Sequence, residues 1–285
     1  MPELPEVETI ARNLREGLND NPSLLGKTIL NAEVLWQRSI ALPSASDFTQ
    51  RIQGQRIISI GRRGKFLRLN LTQDVLLIHL RMSGDLWVEL HSATLAAHHR
   101  VVFWLADEKA EQPTLRLSFN DARKFGRVWL TSNPDEVLGK LGPEPLADDF
   151  TAQLLYNMLQ AKKRTLKPLL MEQTFLAGLG NIYTDEVLHQ ARLHPLSRSE
   201  LLTIQQVHQL WQAIRSTLQE GIRRNGASID WVYRGGDFQN YFQVYQRHGK
   251  PCTSCGFPIT RMVIGQRSAY FCPHCQALLP VNHHL

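Results

Sequence analysis

All four cysteines lie near the end of the chain, spaced Cys252-x2-Cys255-x16-Cys272-x2-Cys275. Two knuckles of this spacing each present two thiolates to one tetrahedral ion, the pattern of a structural zinc site. Two disulfides are the competing use, but they belong to oxidising compartments. The chain instead opens with Glu3, Glu6 and Glu8 and no apolar signal segment. One Zn2+ on Cys252, Cys255, Cys272 and Cys275 has a complete shell, so it leaves no position for a catalytic water and does not need His274 from the second knuckle.

The opening Met1-Pro2-Glu3-Leu4-Pro5-Glu6-Val7-Glu8 carries a second kind of chemistry. A small second residue such as Pro2 favours removal of the initiator methionine and leaves a secondary amine. An α-amino group has a pKa of about 8, roughly two units below lysine, so more of it is unprotonated at neutral pH. Its attack on an aldehyde-level carbon gives an iminium ion, an electron sink that drives elimination. Glu3 beside it is placed to move protons. The plainer role for the same residues is a helix start, with Pro5 in the first turn and the glutamates complementing the dipole.

These groups need a scaffold, and 285 residues are enough for two domains. With 43% hydrophobic and 20% charged residues, wholesale disorder is excluded. The longest apolar run, Val75 to Leu80, has the length of a buried strand and not of a membrane span. The expected location is the cytoplasm, with no membrane partner. The formal net charge of +6 favours a polyanionic partner. From Arg215 onward there are eight basic residues and three acidic ones (Glu220, Asp230 and Asp237), so the charge concentrates at the end that holds the cysteines.

Leu4, Val7, Ile10, Ala11, Leu14 and Leu18 recur at helical steps. Strand patterns follow at Thr28 to Trp36, Arg56 to Ile60, Phe66 to Leu71, Val75 to Leu80, Asp85 to Leu90, Arg100 to Leu105, Thr114 to Phe119 and Arg127 to Leu130. No helices separate them in βαβ fashion, so a mostly antiparallel two-layer sandwich is expected. Asn133-Pro134 and Gly142-Pro143-Glu144-Pro145 punctuate a linker. Helices are expected around Phe150 to Met158, Lys167 to Met171, Asn181 to Ala191 with Asn181 as N-cap, and Ser199 to Arg224. Residues 225 to 243 read as an irregular loop, and Gln276 to Leu285, with His283 and His284, as a frayed tail.

Pro2-Glu3-Leu4-Pro5-Glu6-Val7-Glu8-Thr9 resembles the opening of formamidopyrimidine-DNA glycosylases. The resemblance continues in order through His79-Leu80-Arg81-Met82-Ser83-Gly84, Asp121-Ala122-Arg123-Lys124-Phe125-Gly126 and Leu141-Gly142-Pro143-Glu144-Pro145-Leu146. It extends to Gly178-Leu179-Gly180-Asn181-Ile182-Tyr183, and to Gln266-Arg267 ahead of Cys272. It implies an α+β multidomain fold: an N-terminal antiparallel β-sandwich flanked by helices, a helix–two-turn–helix domain and a zinc-finger β-hairpin. The corresponding divisions are 1–132 for the catalytic sandwich, 133–149 for the linker, 150–243 for the DNA-binding helices with a lesion loop, and 244–285 for the zinc finger and tail.

The resemblance also implies roles. Pro2 is the nucleophile at the deoxyribose C1′, and Glu3 the acid that protonates the sugar oxygen. Lys65, in Arg62-Arg63-Gly64-Lys65-Phe66, contacts DNA at the lesion. Asn181 and Arg267 grip phosphates beside it, and Arg267 joins Pro2, Glu3 and Lys65 in the catalytic set. Met82, Arg123 and Phe125 fill the gap left by the extruded base, while His98 and Lys163 are further DNA contacts. Lys124 stands where some members carry a second arginine, keeping the charge and losing the fork. The implied activity is that of a bifunctional glycosylase and AP lyase of base excision repair, a monomer acting on damaged double-stranded DNA. It removes 8-oxoguanine and formamidopyrimidines through a proline Schiff base with β,δ-elimination. The alternatives are endonuclease VIII-like excision of oxidised pyrimidines, a non-catalytic zinc-finger DNA-binding protein, and a zinc-ribbon RNA-binding protein.

Overall fold

The computed structural model describes residues 1–17, 21–107, 110–228 and 235–280. Leu18, Asp230 and the rest of 229–234 in the expected loop, and residues 281–285 of the expected tail, with His283 and His284, lie outside them. The chain divides into two compact units: Met1–Lys140, with which Ser228 and Gly235 also group, and Leu141–Ala227 with Gly236 onward.

In the first unit, α1 (Leu4–Glu16) is followed by β1 (Thr28–Val34), β2 (Ile40–Leu42), α2 (Ala45–Ile52), β3 (Ile57–Arg63), β4 (Phe66–Leu71) and β5 (Val75–His79). Then come β6 (Gly84–Leu90), β7 (His99–Ala106), β8 (Leu115–Asp121), β9 (Arg127–Thr131) and the short α3 (Asp135–Leu138). A four-stranded sheet in the order β1-β7-β8-β6 faces a five-stranded one in the order β2-β9-β5-β4-β3. Leu67, Leu69 and Leu71 alternate with half-buried Arg68 and Asn70, so one face of β4 enters the core. That core joins Val7, Ile10, Ala11 and Leu14 of α1 to Ile29 of β1, Phe103 of β7, Leu117 of β8 and Val128 of β9. Each fully buried Leu or Ile contributes about 1.5–3 kcal/mol over its exposed state.

All eight expected strands are present, and the pairings are antiparallel with one exception. Three-residue β2 pairs parallel with β9. Neither β2 nor α2 has a periodic run long enough to read. Yet Ser44 caps α2 by accepting the Asp47 N–H at 3.2 Å, a start signal visible in the residues themselves.

The second unit carries α4 (Ala152–Gln160), α5 (Leu166–Met171), α6 (Asn181–Gln190), α7 (Ile204–Arg223), β10 (Thr260–Ile264) and β11 (Arg267–Phe271). Two expectations are corrected here. The N-cap of α6 is the extended Gly180, and Asn181 is the first helical residue. The long helix begins at Ile204 and not at Ser199. Thr203 accepts the Gln206 N–H at 3.3 Å while its own N–H goes to Gln206 Oε1 at 2.9 Å, a capping box that stops the helix from extending backward. The tail is also built in further than expected: Gln276 is fully buried and donates from Nε2 to Leu193 O at 2.8 Å.

Candidate functional site

In the first unit, α1 packs along β3 and β4. Arg15 near its end donates to Ile60 O at 3.2 Å, and Glu8 nearer its start pairs with Arg62 at 2.8 Å. The helix therefore runs antiparallel to β3, and its first residues lie toward the β3–β4 turn. That turn is the two-residue loop Gly64-Lys65 between the paired Arg63 and Phe66, with Gly64 at φ 55° as the loop geometry demands. The same end of the unit thus holds Pro2, Glu3 and Lys65, all buried; Lys65, at a hairpin tip, is only 4% exposed. Glu6 turns back to accept the Glu3 N–H at 2.7 Å, which fixes the backbone at the helix start.

Phe66 is paired across the sheet with His79, and the two rings meet edge-on at 4.7 Å. Burial first, and then the charges of Arg81 and Lys65, push the His79 pKa down to about 3. Its Nδ1 accepts the Arg81 N–H at 3.0 Å, so His79 is a neutral post for the turn that follows and not a proton donor at neutral pH.

That turn carries half-buried Met82, and a second turn carries exposed Arg123 and Phe125. The strands behind them put Gly84 opposite Asp121. The Asp121 carboxylate is fully buried and accepts from Ser83 Oγ, from the Arg123 N–H at 3.2 Å and from the Gly126 N–H at 2.7 Å. The two glycines of these motifs have a steric cause. A Cβ on Gly84 would meet Leu80 O at 2.4 Å, and one on Gly126 would meet the Phe119 ring at 2.2 Å. The Arg123 guanidinium lies over the Phe125 ring at 4.9 Å, while Lys124 Nζ sits over Trp36 at 4.0 Å. His98 is exposed just before β7.

In the second unit, Asn181 opens α6 with a buried Oδ1 that has no hydrogen-bond partner among the described residues. Arg267 is exposed at the start of β11, after the Gly265-Gln266 turn with φ 53° and 64°. The buried face of α6 holds the hairpin. Lys167 Nζ donates to Asp185 Oδ1 and to Ser268 O, each at 2.6 Å, and the Tyr270 N–H donates to Asp185 Oδ2 at 3.0 Å. Burial pushes the Asp185 pKa up to about 7, against the pull of Lys167 and the Tyr270 N–H. Glu186 accepts the N–H groups of Gln243, Val244 and Tyr245 at 2.8–3.0 Å. Lys163 is exposed beyond α4, between Lys162 and Arg164.

The four cysteine Sγ atoms all lie within 4.8 Å of one another. Cys255 and Cys272 Sγ lie 3.5 Å apart, and Cys252 and Cys275 Sγ 4.0 Å apart. Tetrahedral zinc with about 2.3 Å bonds sets sulfurs about 3.8 Å apart, whereas a disulfide needs about 2.05 Å. The donor set therefore fits one structural Zn2+. His189 Nε2 lies 3.5 Å from Cys252 Sγ, an outer contact that orients a ligand. His274 instead stacks on Phe257.

Three family models match in order. The formamidopyrimidine-DNA glycosylase N-terminal domain covers residues 1–128, the formamidopyrimidine-DNA glycosylase H2TH domain 141–232, and the zinc finger found in FPG and IleRS 249–278. The formamidopyrimidine-DNA glycosylase of Chloroflexus aurantiacus is 44% identical, over 97% of this chain and 98% of that protein. That of Pelotomaculum thermopropionicum is 42% identical, over 97% and 99%. The chain belongs to the formamidopyrimidine-DNA glycosylase family. Among solved members, Lactococcus lactis FPG (MutM) in complex with a FAPY-dG containing DNA superposes with a TM-score of 0.86 at 35% identity, covering 96% of this chain and all of that one. MutM in complex with carbocyclic 8-oxo-G containing DNA superposes with the same score at 35% identity, covering 97% and 100%.

Within this family member the structure groups the expected residues in three places: Pro2, Glu3 and Lys65; Met82, Arg123 and Phe125; and the four cysteines. Sequence reasoning missed Ser83, Asp121 and Arg100, which frame the second group, and Asp185 and Glu186, which frame the hairpin. Ser83 and Asp121 stood inside the quoted motifs, but nothing in their types marked them as partners.

Proposed function

We propose that the chain is a bifunctional DNA glycosylase and AP lyase of base excision repair that removes oxidised purines from duplex DNA. The observation that carries this reading is the burial of an acidic and a basic side chain, Glu3 and Lys65, at the Pro2 end of α1. Ionisable side chains are rarely buried at a helix start and a hairpin tip, and here their burial gathers proton-transfer and phosphate-binding groups beside Pro2. With Met1 removed, the Pro2 nitrogen attacks C1′ of the damaged nucleoside and displaces the base, which takes up the proton that the amine sheds. Glu3 in its acid form protonates the ring oxygen as the C1′–O4′ bond breaks, leaving the iminium. That iminium acidifies the C2′ hydrogens, so β- and then δ-elimination release the flanking phosphates. Lys65 is the cation that this end of the unit offers to those phosphates.

Arg123 and Phe125 are exposed on a fixed turn, as a wedge for a gap in the base stack must be. With Met82 beside them, they favour the purine lesions that MutM and the Lactococcus lactis protein hold over oxidised pyrimidines. A monomer in the cytoplasm suffices for this chemistry, and among the described residues no helix is long and apolar enough to cross a membrane. Zn2+ on the four cysteines supports the hairpin and takes no part in bond making.

A single-turnover assay on an 8-oxoguanine duplex tests the reading. The wild-type chain should release the base and leave phosphate on both sides of a one-nucleotide gap. Glu3→Gln keeps an acceptor for the helix start but delivers no proton, so base release should slow by about two to four orders of magnitude. An intact duplex with the wild-type chain refutes the activity, and unchanged release by Glu3→Gln reduces Glu3 to a cap.

Binding separates two kinds of arginine. Arg267→Ala, losing a phosphate contact, should weaken all duplexes alike and lower the slope of log K against log salt by about one. Arg123→Ala should instead change discrimination among bases opposite the lesion. Equal losses with the same slope change would make Arg123 another phosphate clamp.

A further inference from the structure

Arg100 is 8% exposed, and carbonyl oxygens meet its charge. Nε donates to Asp121 O at 2.7 Å, and Nη1 to Ala97 O at 3.2 Å and His99 O at 3.3 Å, while Nη2 lies 3.4 Å from His98 Nδ1. Its own carbonyl accepts the N–H groups of Leu35 at 2.9 Å and Trp36 at 3.1 Å. One residue thus ties the loop bearing His98, the strand end at Asp121 and the segment bearing Trp36, on which Lys124 rests. Asp121 carries the tie onward, because its carboxylate joins Ser83 in the Met82 turn to the N–H groups of Arg123 and Gly126.

The two turns also share a cost. Arg81 at φ 55° and Lys124 at φ 60° are left-handed without being glycine. Each such residue is strained and persists only where its surroundings over-determine it. At Arg81 the surroundings are His79 Nδ1, and at Lys124 they are Asp121 O, which accepts its N–H at 3.4 Å, and the Arg100 fork on that same carbonyl. Only a planar guanidinium offers five donors in a geometry that reaches carbonyls of two segments at once.

We infer that Arg100, Asp121 and Ser83 form one latch of positioning residues that holds Met82, Arg123, Phe125 and His98 in register for the moment a base leaves the stack. The inference rests on the glycosylase reading above. It assigns the latch to base extrusion and not to the elimination chemistry at Pro2. A duplex that already contains an abasic site has no damaged base to extrude, so loss of the latch spares it.

Arg100→Lys keeps the charge and loses the fork, and Ser83→Ala removes one hydroxyl from a turn. Misplacement by about 1 Å costs as much as 100-fold, so excision of 8-oxoguanine should fall about 10- to 100-fold in Arg100→Lys while cleavage of a preformed abasic duplex stays within about twofold. Ser83→Ala should show the same split with a smaller drop, and it decides alone if Arg100→Lys does not fold. With 2-aminopurine opposite the lesion, the fluorescence change on binding should shrink in both variants. Equal losses on the two duplexes, or no loss on either, overturn the latch. A wild-type chain that shifts the 2-aminopurine signal but cleaves neither duplex overturns the glycosylase reading and leaves the latch standing.

Discussion

Pro2→Gly will lose base excision by at least about three orders of magnitude, the scale seen when a covalent nucleophile is removed, and will still bind lesion duplex. Glycine retains an α-amine, so the loss reports the secondary amine held in its ring, not the bare presence of nitrogen. Binding outlasts turnover because Arg123, Phe125 and Arg267 belong to other elements than α1. Borohydride added during turnover should reduce the iminium and leave the wild-type chain covalently joined to an 8-oxoguanine duplex at residue 2, with little adduct from the variant. Chain that keeps Met1 has an amide at the Pro2 nitrogen and no lone pair to give. Full excision and strand cleavage by protein shown by mass to retain Met1 would therefore remove Pro2 from the mechanism.

Much of this architecture was legible from the residues. The eight expected strands were read because their apolar residues alternate or run together, as in Leu67, Leu69 and Leu71. The zinc ligands were read because two-residue spacing within each knuckle is a geometric requirement of one ion. What escaped lacks a local signature. β2 is three residues long and pairs with a strand that comes much later in the chain. Asn181 has the type of an N-cap, but extended Gly180 takes that position and leaves the buried Asn181 Oδ1 unpartnered among the described residues.

The candidate site divides in the same way. Pro2, Glu3 and Lys65 were named from the resemblance, and their types alone allowed a plain helix start and a solvated hairpin. Burial separates the two cases, because a solvated Lys65 would not be 4% exposed. The latch could not be read at all. Ser83, Arg100 and Asp121 come from separate segments, and only the pairing of Gly84 with Asp121 brings the two turns together. Polar networks of this kind depend on strand register, which a one-residue slip would destroy.

Removing zinc will cost the hairpin and, with it, one phosphate contact. Structural zinc sites contribute about 10–16 kcal/mol of apparent binding energy, so Cys252→Ser takes away most of what organises residues 249–278. The loss should stay local. α6 meets the module through Asp185, Glu186 and His189, but its own packing rests on Ile182, Tyr183, Val187 and Leu188, which the ion does not touch. Helical ellipticity should thus survive chelation while Arg267 loses its fixed position at the start of β11. A charge-assisted hydrogen bond is worth about 1.5–3 kcal/mol, so lesion affinity should fall about 10- to 100-fold and the salt slope should drop as it does in Arg267→Ala. The double variant Cys252→Ser with Arg267→Ala should be little weaker than Cys252→Ser alone, because the zinc acts on DNA through that arginine. Metal analysis of the purified chain should find one zinc per molecule. A chain that holds no zinc, or whose affinity ignores chelation, refutes the structural role. Additive losses in the double variant would mean that the finger reaches DNA through groups other than Arg267.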